Sequence, residues 1–390
     1  MLGILAVNIA GFAGPTQATL SPHIPRPGSL ADEAAFALTF VVFEGKMRAL
    51  FTLLFGASML LFVERAEAAG RDGAALQTRR LGWLLLFGLL HYLLLWWGDI
   101  LFLYAAIGFL ALRFRRADPK ALAAAALLLF ASWHSVSAIL AQPDVAIEEQ
   151  VRIGEARPAL VALYNAEAAA ARAKSAQELV RYRAPFLAQI VDKILYHPFW
   201  QLGMILFNFG ETFPLMLIGM ALYRSGFFSG AWPRRRLWQV AGGGLVLGLI
   251  PTLAVLGWVW PRHFPLQAMR AGINYWTALP HLTMALAYAA LLMLAAPRLL
   301  RSRLGQQIAA AGRMAFSNYL GTTLVMTAIF YGWGLGLIGT VGAAEQLLFV
   351  ALGWALMLGW SKPWLARFRQ GPLEWLWRSL TEVRGLAMLR

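Results

Sequence analysis

The sequence predicts an all-α protein, a polytopic integral membrane bundle of about ten transmembrane helices, and three observations predict it. Of its 390 residues, 59% are hydrophobic and only 14% are charged, far from the balance of a soluble domain. The apolar residues gather into runs close to the roughly 20 residues that a helix needs to cross the hydrocarbon core. The basic residues fall instead in short clusters, in alternate connections between those runs.

In order, the runs are approximately 1–13, 34–63, 81–97, 100–114, 121–141, 198–222, 237–260, 275–296, 306–331 and 343–361. The first is short and opens on LGILAVNI without the basic flank of a signal peptide, so a further stretch is expected upstream of it. Residues 14–33, with four prolines and two glycines, read as irregular. Glu44, Gly45, Lys46 and Arg48 interrupt the second run and divide it into an interfacial helix and a span beginning near Met47. The third and fourth runs form an apolar block broken only by His91, Asp99 and a hinge at Gly98. Residues 142–197 carry seven basic and seven acidic residues, are rich in Ala, Glu and Arg, and read as soluble helix lying over the external face. The tail GPLEWLWRSLTEVR follows a Gly-Pro break and reads as an amphipathic, Trp-rich interfacial anchor. The resulting organisation is an N-terminal membrane half (1–141), an external helical segment (142–197), a C-terminal membrane half (198–369) and an interfacial tail (370–390).

The formal charge of +15 would point to nucleic acid in a soluble protein. Here the positive residues sit where the positive-inside rule places them, so membrane lipids and not nucleic acid are the expected partners; a homo-oligomer is compatible with the sequence. The clusters Arg65–Arg80, Arg113–Lys120, Arg224–Arg236, Arg298–Arg303 and the tail from Lys362 share one side of a ten-span bundle. That side is expected to be cytoplasmic in a bacterial inner membrane, with both termini on it. The absence of cysteine excludes disulfides, thiolate nucleophiles and thiolate metal sites. The six histidines show no spacing that would align ligands on one helix face, so no metal is expected. No phosphate-binding loop, dinucleotide fingerprint or nucleophile elbow occurs in a strand-to-helix context.

Titratable groups in apolar runs are the first candidates for function, because a charge in lipid is costly unless it faces protein or a wet cavity. His91 lies eleven residues beyond Arg80, about 16 Å along a helix, near the bilayer midplane. It reads either as a general base or as a hydrogen-bonding link between helices. Asp99 follows Trp96, Trp97 and Gly98, so it reads as an N-cap in an external turn, or as a substrate contact if that turn folds inward. Glu44, Lys46 and Arg48 either pair among themselves or form a polar lip for a hydrophilic substrate. Asn208 and Glu211 share a helix face, and Glu211 reads as base, proton carrier or ion-pair partner. His281 reads as structural. Arg313, in AAGRMAFSNYL with Asn318 and Tyr319, is placed to snorkel or to clamp phosphates.

Several segments together resemble the YeiB-like family of bacterial inner-membrane proteins, domain of unknown function 418. They are LGILAVNI (2–9), EGKMRALFTLLFG (44–56), HYLLLWWGDILFLYAAIGFL (91–110), LIGMALYRSGFF (217–228), GRMAFSNYL (312–320), FYGWGLGL (330–337) and GPLEWLWRSLT (371–381). The basic Leu-Asp-x-Leu-Arg-Gly stretch that usually precedes the family's first span is absent, and Gly321, Thr322 and Thr323 stand where a Gln is common. That family is similar in turn to transmembrane acyltransferases, in which a bundle of about ten helices passes an acyl group from cytosolic acyl-CoA to an acceptor across the membrane. The resemblance implies an acyltransferase with His91 as base and acyl-CoA as co-substrate; the acids in the apolar runs add Glu211 or Glu44 to orient the imidazole. Arg80 and Arg313 would then hold the CoA phosphates, with Lys46, Asn208, Asp99 and Asn318 contacting substrate. Two other classes fit the residues: a proton-coupled secondary transporter using Glu211 and His91, and an envelope scaffold docking through 142–197.

Overall fold

The computed structural model describes residues 1–389, and among them α-helices carry the architecture with no β-sheet. Six stretches are long and apolar enough to cross a membrane: Leu30–Ala68, Pro119–Ile153, Trp200–Arg224, Arg234–Arg262, Ala278–Leu299 and Ala343–Arg367. Three further apolar helices are shorter, Leu2–Ala13, Leu101–Phe114 and Ala315–Phe330.

Helix α1 (Leu2–Ala13) leads through a proline-rich loop to α2 (Leu30–Val42), which opens on a reciprocal Ser29–Asp32 capping box. The chain breaks at Gly45, held at a φ of 69°, and resumes as α3 (Lys46–Ala68), as the charges in this run predicted. Helices α4 (Gly73–Leu94) and α5 (Leu101–Ala111) form a hairpin. Helix α6 (Pro119–Ile153) runs 35 residues through Pro143, so one continuous helix joins the expected membrane half to the expected external segment. Helices α7 (Pro158–Arg183) and α8 (Phe186–Tyr196) follow, then α9 (Trp200–Arg224), α10 (Arg234–Val259), the short α11 (Leu266–Ala271) and α12 (Ala278–Leu299). The run 306–331, expected as one span, is two helices divided at Met314: α13 (Arg303–Arg313) and α14 (Ala315–Phe330). Helices α15 (Ala343–Arg367) and α16 (Pro372–Glu382) complete the chain. The main core lies between α3, α5, α6, α9 and α12, around Leu53, Leu60, Tyr104, Phe130 and Met216.

The basic clusters share one end of the bundle. Arg71 pairs with Glu382, Arg79 donates to the Thr381 carbonyl at 3.0 Å and Arg224 donates to the Ala117 carbonyl at 3.0 Å. Helix α16 is fastened there by Glu374, whose Oε1 accepts the Phe316 and Ser317 amides of α14 at 2.8 and 3.1 Å. A carboxylate at the positive end of a helix is favourable twice over, as a hydrogen-bond acceptor and as a charge. The segments 312–320 and 371–381 therefore meet in space.

At the other end the loops turn inward. Trp96, Tyr331 and Ile338 are buried, and Gly332 and Gly339 donate to the carbonyls of Tyr182 and Ala13. Helix α8 covers this end with its polarity inverted: Leu187, Val191 and Leu195 face outward, whereas Gln189 and Lys193 are buried. A helix built so is stable against lipid and not against water. The Ala-, Glu- and Arg-rich composition by which 142–197 reads as soluble helix does not show this inversion within α8.

Candidate active site

His91 sits in the last turn of α4, and the loop 95–100 brings Asp99 back against it. His91 Nδ1 lies 2.7 Å from Asp99 Oδ1, with both side chains fully enclosed at 0% exposure. A carboxylate only accepts, so Nδ1 carries the proton and Nε2 of the neutral ring holds the free lone pair. Nε2 is buried and has no hydrogen-bond partner. Asp99 is also the cap that sequence anticipated, its Oδ2 accepting the Phe102 amide at 2.7 Å. The turn that carries it is not external, however. Counted back from Phe114 at the arginine-rich end, the 14 residues of Leu101–Phe114 rise only about 20 Å, which leaves the loop near the middle of the bundle.

Neighbouring groups hold that loop in place. The Trp96 and Trp97 indoles both donate to the Gly11 carbonyl, at 3.2 and 3.3 Å, and Trp96 stacks on Phe12. The Tyr319 ring lies 5.1 Å from the His91 ring, with its hydroxyl at the Ile100 amide. Gly88 permits the close approach of α5 to α4, since a Cβ there would overlap the Phe102 backbone.

Glu211 and Glu44, the acids expected to orient His91, do not touch it. Arg48 Nε donates to Glu211 Oε1 at 2.9 Å, and Glu44 Oε1 accepts the amide of its own neighbour Gly45. Lys46 is fully buried, and its ammonium donates to the Phe40 carbonyl at 2.7 Å. These four charges sum to zero around the helix break, and the break packs against His281, whose ring occupies the space a Cβ on Gly45 would need. Thr52 of α3 and Tyr104 of α5 hydrogen-bond at 2.5 Å. Asn208 donates to the Met204 carbonyl of its own helix. Asn318 Nδ2 donates to the Ala311 carbonyl and Ser361 Oγ, and its Oδ1 accepts from the Trp360 indole, so it links α13, α14 and α15.

At the arginine-rich end a cavity of about 460 Å³ is lined by Arg65, Arg71, Arg80, Arg378, Glu374 and Trp377. The Arg80 guanidinium lies between the rings of Phe62 and Trp377, 4.1 and 4.3 Å from their centroids. Arg71 and Glu382 pair at its rim, and the hydrogen bond from Arg71 holds the Glu382 carboxyl below the usual range. Arg313 does not line this cavity; it donates to the Arg369 carbonyl at 3.3 Å. The break at Met314 accounts for this, because it puts Arg313 at the end of a surface helix and not inside a span.

The opposite end holds a cluster that histidine spacing did not show: His23 Nε2 and His263 Nδ1 lie 3.1 and 3.3 Å from Glu33 Oε1. The three could offer ligand atoms to one ion. The Gly28 amide donates to His23 Nδ1 at 3.0 Å, however, which leaves the neutral ring's proton on Nε2, facing Glu33. A metal at Nε2 would have to displace that proton and break the Gly28 bond, so the donor set fits a hydrogen-bonded triad better than an ion. The sequence did carry one signal for the inward loop: the run 100–114 is too short to cross a bilayer, so a turn at its start cannot reach the far surface.

Residues 222–384 match the family described as Protein of unknown function (DUF418). Over 98% of the chain it is 32% identical to "Uncharacterized protein YxaH" of Bacillus subtilis (strain 168), covering 91% of that protein. It is 30% identical to "Uncharacterized protein YeiB" of Escherichia coli (strain K12), over 98% of this chain and 93% of that one. It is 25% identical to "Uncharacterized 39.9 kDa protein in amylase 3'region" of Bacillus acidopullulyticus, over its whole length and 92% of that relative. No solved structure matches.

Proposed function

Since this chain belongs to the YeiB-like DUF418 family, and since its most enclosed titratable pair is a histidine oriented by an aspartate, we propose that it is a membrane-embedded acyltransferase. The single observation that carries the reading is His91 Nε2, bare and buried while Nδ1 is held by Asp99. That is the arrangement of a base with its orienting acid. In the proposed reaction an acceptor hydroxyl or amine attacks the thioester carbonyl of acyl-CoA while Nε2 takes its proton. The C–S bond then breaks, the imidazolium returns the proton to sulfur, and the products are an acylated acceptor and free CoA. Asp99 stabilises the imidazolium between the two transfers, so it replaces Glu211 and Glu44 in the role that sequence gave them.

The arginine cavity suits the donor. Arg65, Arg71, Arg80 and Arg378 supply positive charge for phosphates, and α4 carries both Arg80 and His91 on one rod. On this reading the arginine-rich end is cytoplasmic in a bacterial inner membrane, as are both termini. Eight crossings result when α1 and α14 join the six long stretches, with α4 and α5 as a hairpin that turns back inside the bundle. The test is release of free CoA from acetyl-CoA and longer acyl-CoAs by the protein in liposomes, with His91→Ala as control. Release lost in the variant supports the reading, and a wild type that releases none removes it.

A second reading rests on its own observation, the charge-balanced cluster of Glu44, Lys46, Arg48 and Glu211 at a broken helix. Such a break is where secondary transporters hold substrate and coupling ions. Uptake that depends on pH and needs no CoA would favour it.

A further inference from the structure

Between α4, α5, α8 and α9 runs a groove of about 620 Å³, within the usual range for a bound small molecule. Its walls are apolar: Leu85, Leu89, Phe102, Phe109 and Leu202 among others. Leu89, Phe199 and Leu202 are also among the side chains facing outward, so the groove opens toward lipid. Two polar residues line it, and both are almost fully buried, Lys193 at 3% exposure and Gln201 at 5%. The Lys193 ammonium donates to the carbonyls of Tyr92 and Leu93 at 2.8 and 3.3 Å, at the C-terminal end of α4, which leaves one of its three N–H groups unassigned. Gln201 is more telling, because both its Nε2 and its Oε1 are buried without a partner. Leaving a donor and an acceptor unmet in an apolar wall costs about 1–3 kcal/mol each, so the site is built to be completed by something that both accepts and donates.

We propose that this groove is a binding site for an anionic phospholipid with a hydroxyl-bearing headgroup, of the phosphatidylglycerol kind. The chemistry matches group by group. A phosphate oxygen accepts from Lys193 and from Gln201 Nε2, a glycerol hydroxyl donates to Gln201 Oε1, and an acyl chain lies along Leu85, Leu89, Phe102 and Phe109. The inverted polarity of α8 supports it, since Ile194 contributes to the apolar wall while Lys193 points inward. One wall is made by Tyr92 and Phe102, the residues next to His91 and capped by Asp99 respectively, so a bound lipid braces the loop that holds the dyad. Lipid bound in this groove is independent of acyl transfer at His91.

The experiment is native mass spectrometry of the detergent-purified protein after exposure to phosphatidylglycerol or to phosphatidylcholine. Wild type is expected to retain one phosphatidylglycerol with about tenfold preference, the scale of one charge-assisted hydrogen bond. Lys193→Met should erase the preference, Lys193→Arg should restore it, and Gln201→Leu should lower retention of phosphatidylglycerol while leaving the charge in place. Ala106→Phe, which fills the groove midway, should abolish retention of both lipids. Equal retention of the two lipids by wild type overturns the proposal. So does unchanged retention in Gln201→Leu or Ala106→Phe, variants that leave the Lys193 contact with α4 intact should Lys193→Met fail to fold.

Discussion

Asp99→Asn is the sharpest perturbation the dyad offers, because the structure dictates which way the new amide must face. The Phe102 amide needs an acceptor, so the Asn carbonyl takes the place of Oδ2 and the NH₂ group falls against His91 Nδ1. That NH₂ can only donate, so Nδ1 must accept and the imidazole proton moves to Nε2. The cap survives, the fold is retained, and the base is gone. A general base is worth about 10²–10⁴-fold, or roughly 3–5 kcal/mol of barrier at 1.36 kcal/mol per decade, and that is the expected loss. Asp99→Ala removes the cap as well and should add about 1–2 kcal/mol of destabilisation. The assay is release of CoA read with a thiol reagent, which is clean here because the protein has no cysteine. An Asp99→Asn protein within threefold of wild type would refute the tautomer argument and the role of the dyad with it.

Four further outcomes follow from particular contacts. Arg80→Leu removes a guanidinium held between two rings and should weaken acyl-CoA binding about 5- to 30-fold by thermal shift; Arg313→Ala, outside the cavity, should change it less than about twofold. Glu374→Ala frees α16 from the start of α14 and should lower stability by about 1–3 kcal/mol, read as Tm in detergent. Burial brings the Lys193 ammonium down to about 7, with the Arg181–Asp192 pair and His197 nearby. The lysine is charged below that pH and neutral above it, so phosphatidylglycerol retention should be strong at pH 6 and fall as pH rises through 7; a flat profile would count against the ammonium as the contact. Glu211→Gln leaves Arg48 without its partner and should cost about 1–3 kcal/mol, with CoA release per folded molecule within about tenfold of wild type.

How far the sequence could be read depended on whether a feature was local. The break at Gly45, the Asp99 cap and the amphipathic α16 are written in adjacent residues, and the structure holds all three. The division at Met314 and the continuity of α6 through Pro143 were not legible, because tertiary packing overrides the local signals there. The dyad was half legible. His91 stood out as a midplane histidine, but its partner was assigned to the surface by the aromatic residues beside it, a rule that holds only when the turn reaches the interface. Gln201 and Lys193 could not be read at all, since nothing local tells a helix whose polar face is solvated from one whose polar face is buried.

The two polar centres divide the candidate functions between them. His91 and Asp99 are completed by each other and leave one nitrogen free, which is what proton transfer to a bound molecule needs. Glu211 and Arg48 instead satisfy one another and Lys46 is spent on a backbone carbonyl, so the bare nitrogen at that cluster is His281 Nε2, whose ring no carboxylate orients. A transporter relay from Glu211 to His91 would have to open the Arg48 ion pair before any proton could pass, and leaving either charge unpaired away from water costs several kcal/mol. An acyl transfer at His91 requires no such step, only that substrate reach Nε2 past the inward loop. Helix α8 and its groove lie against that loop, which makes lipid occupancy there a natural control on access to the dyad.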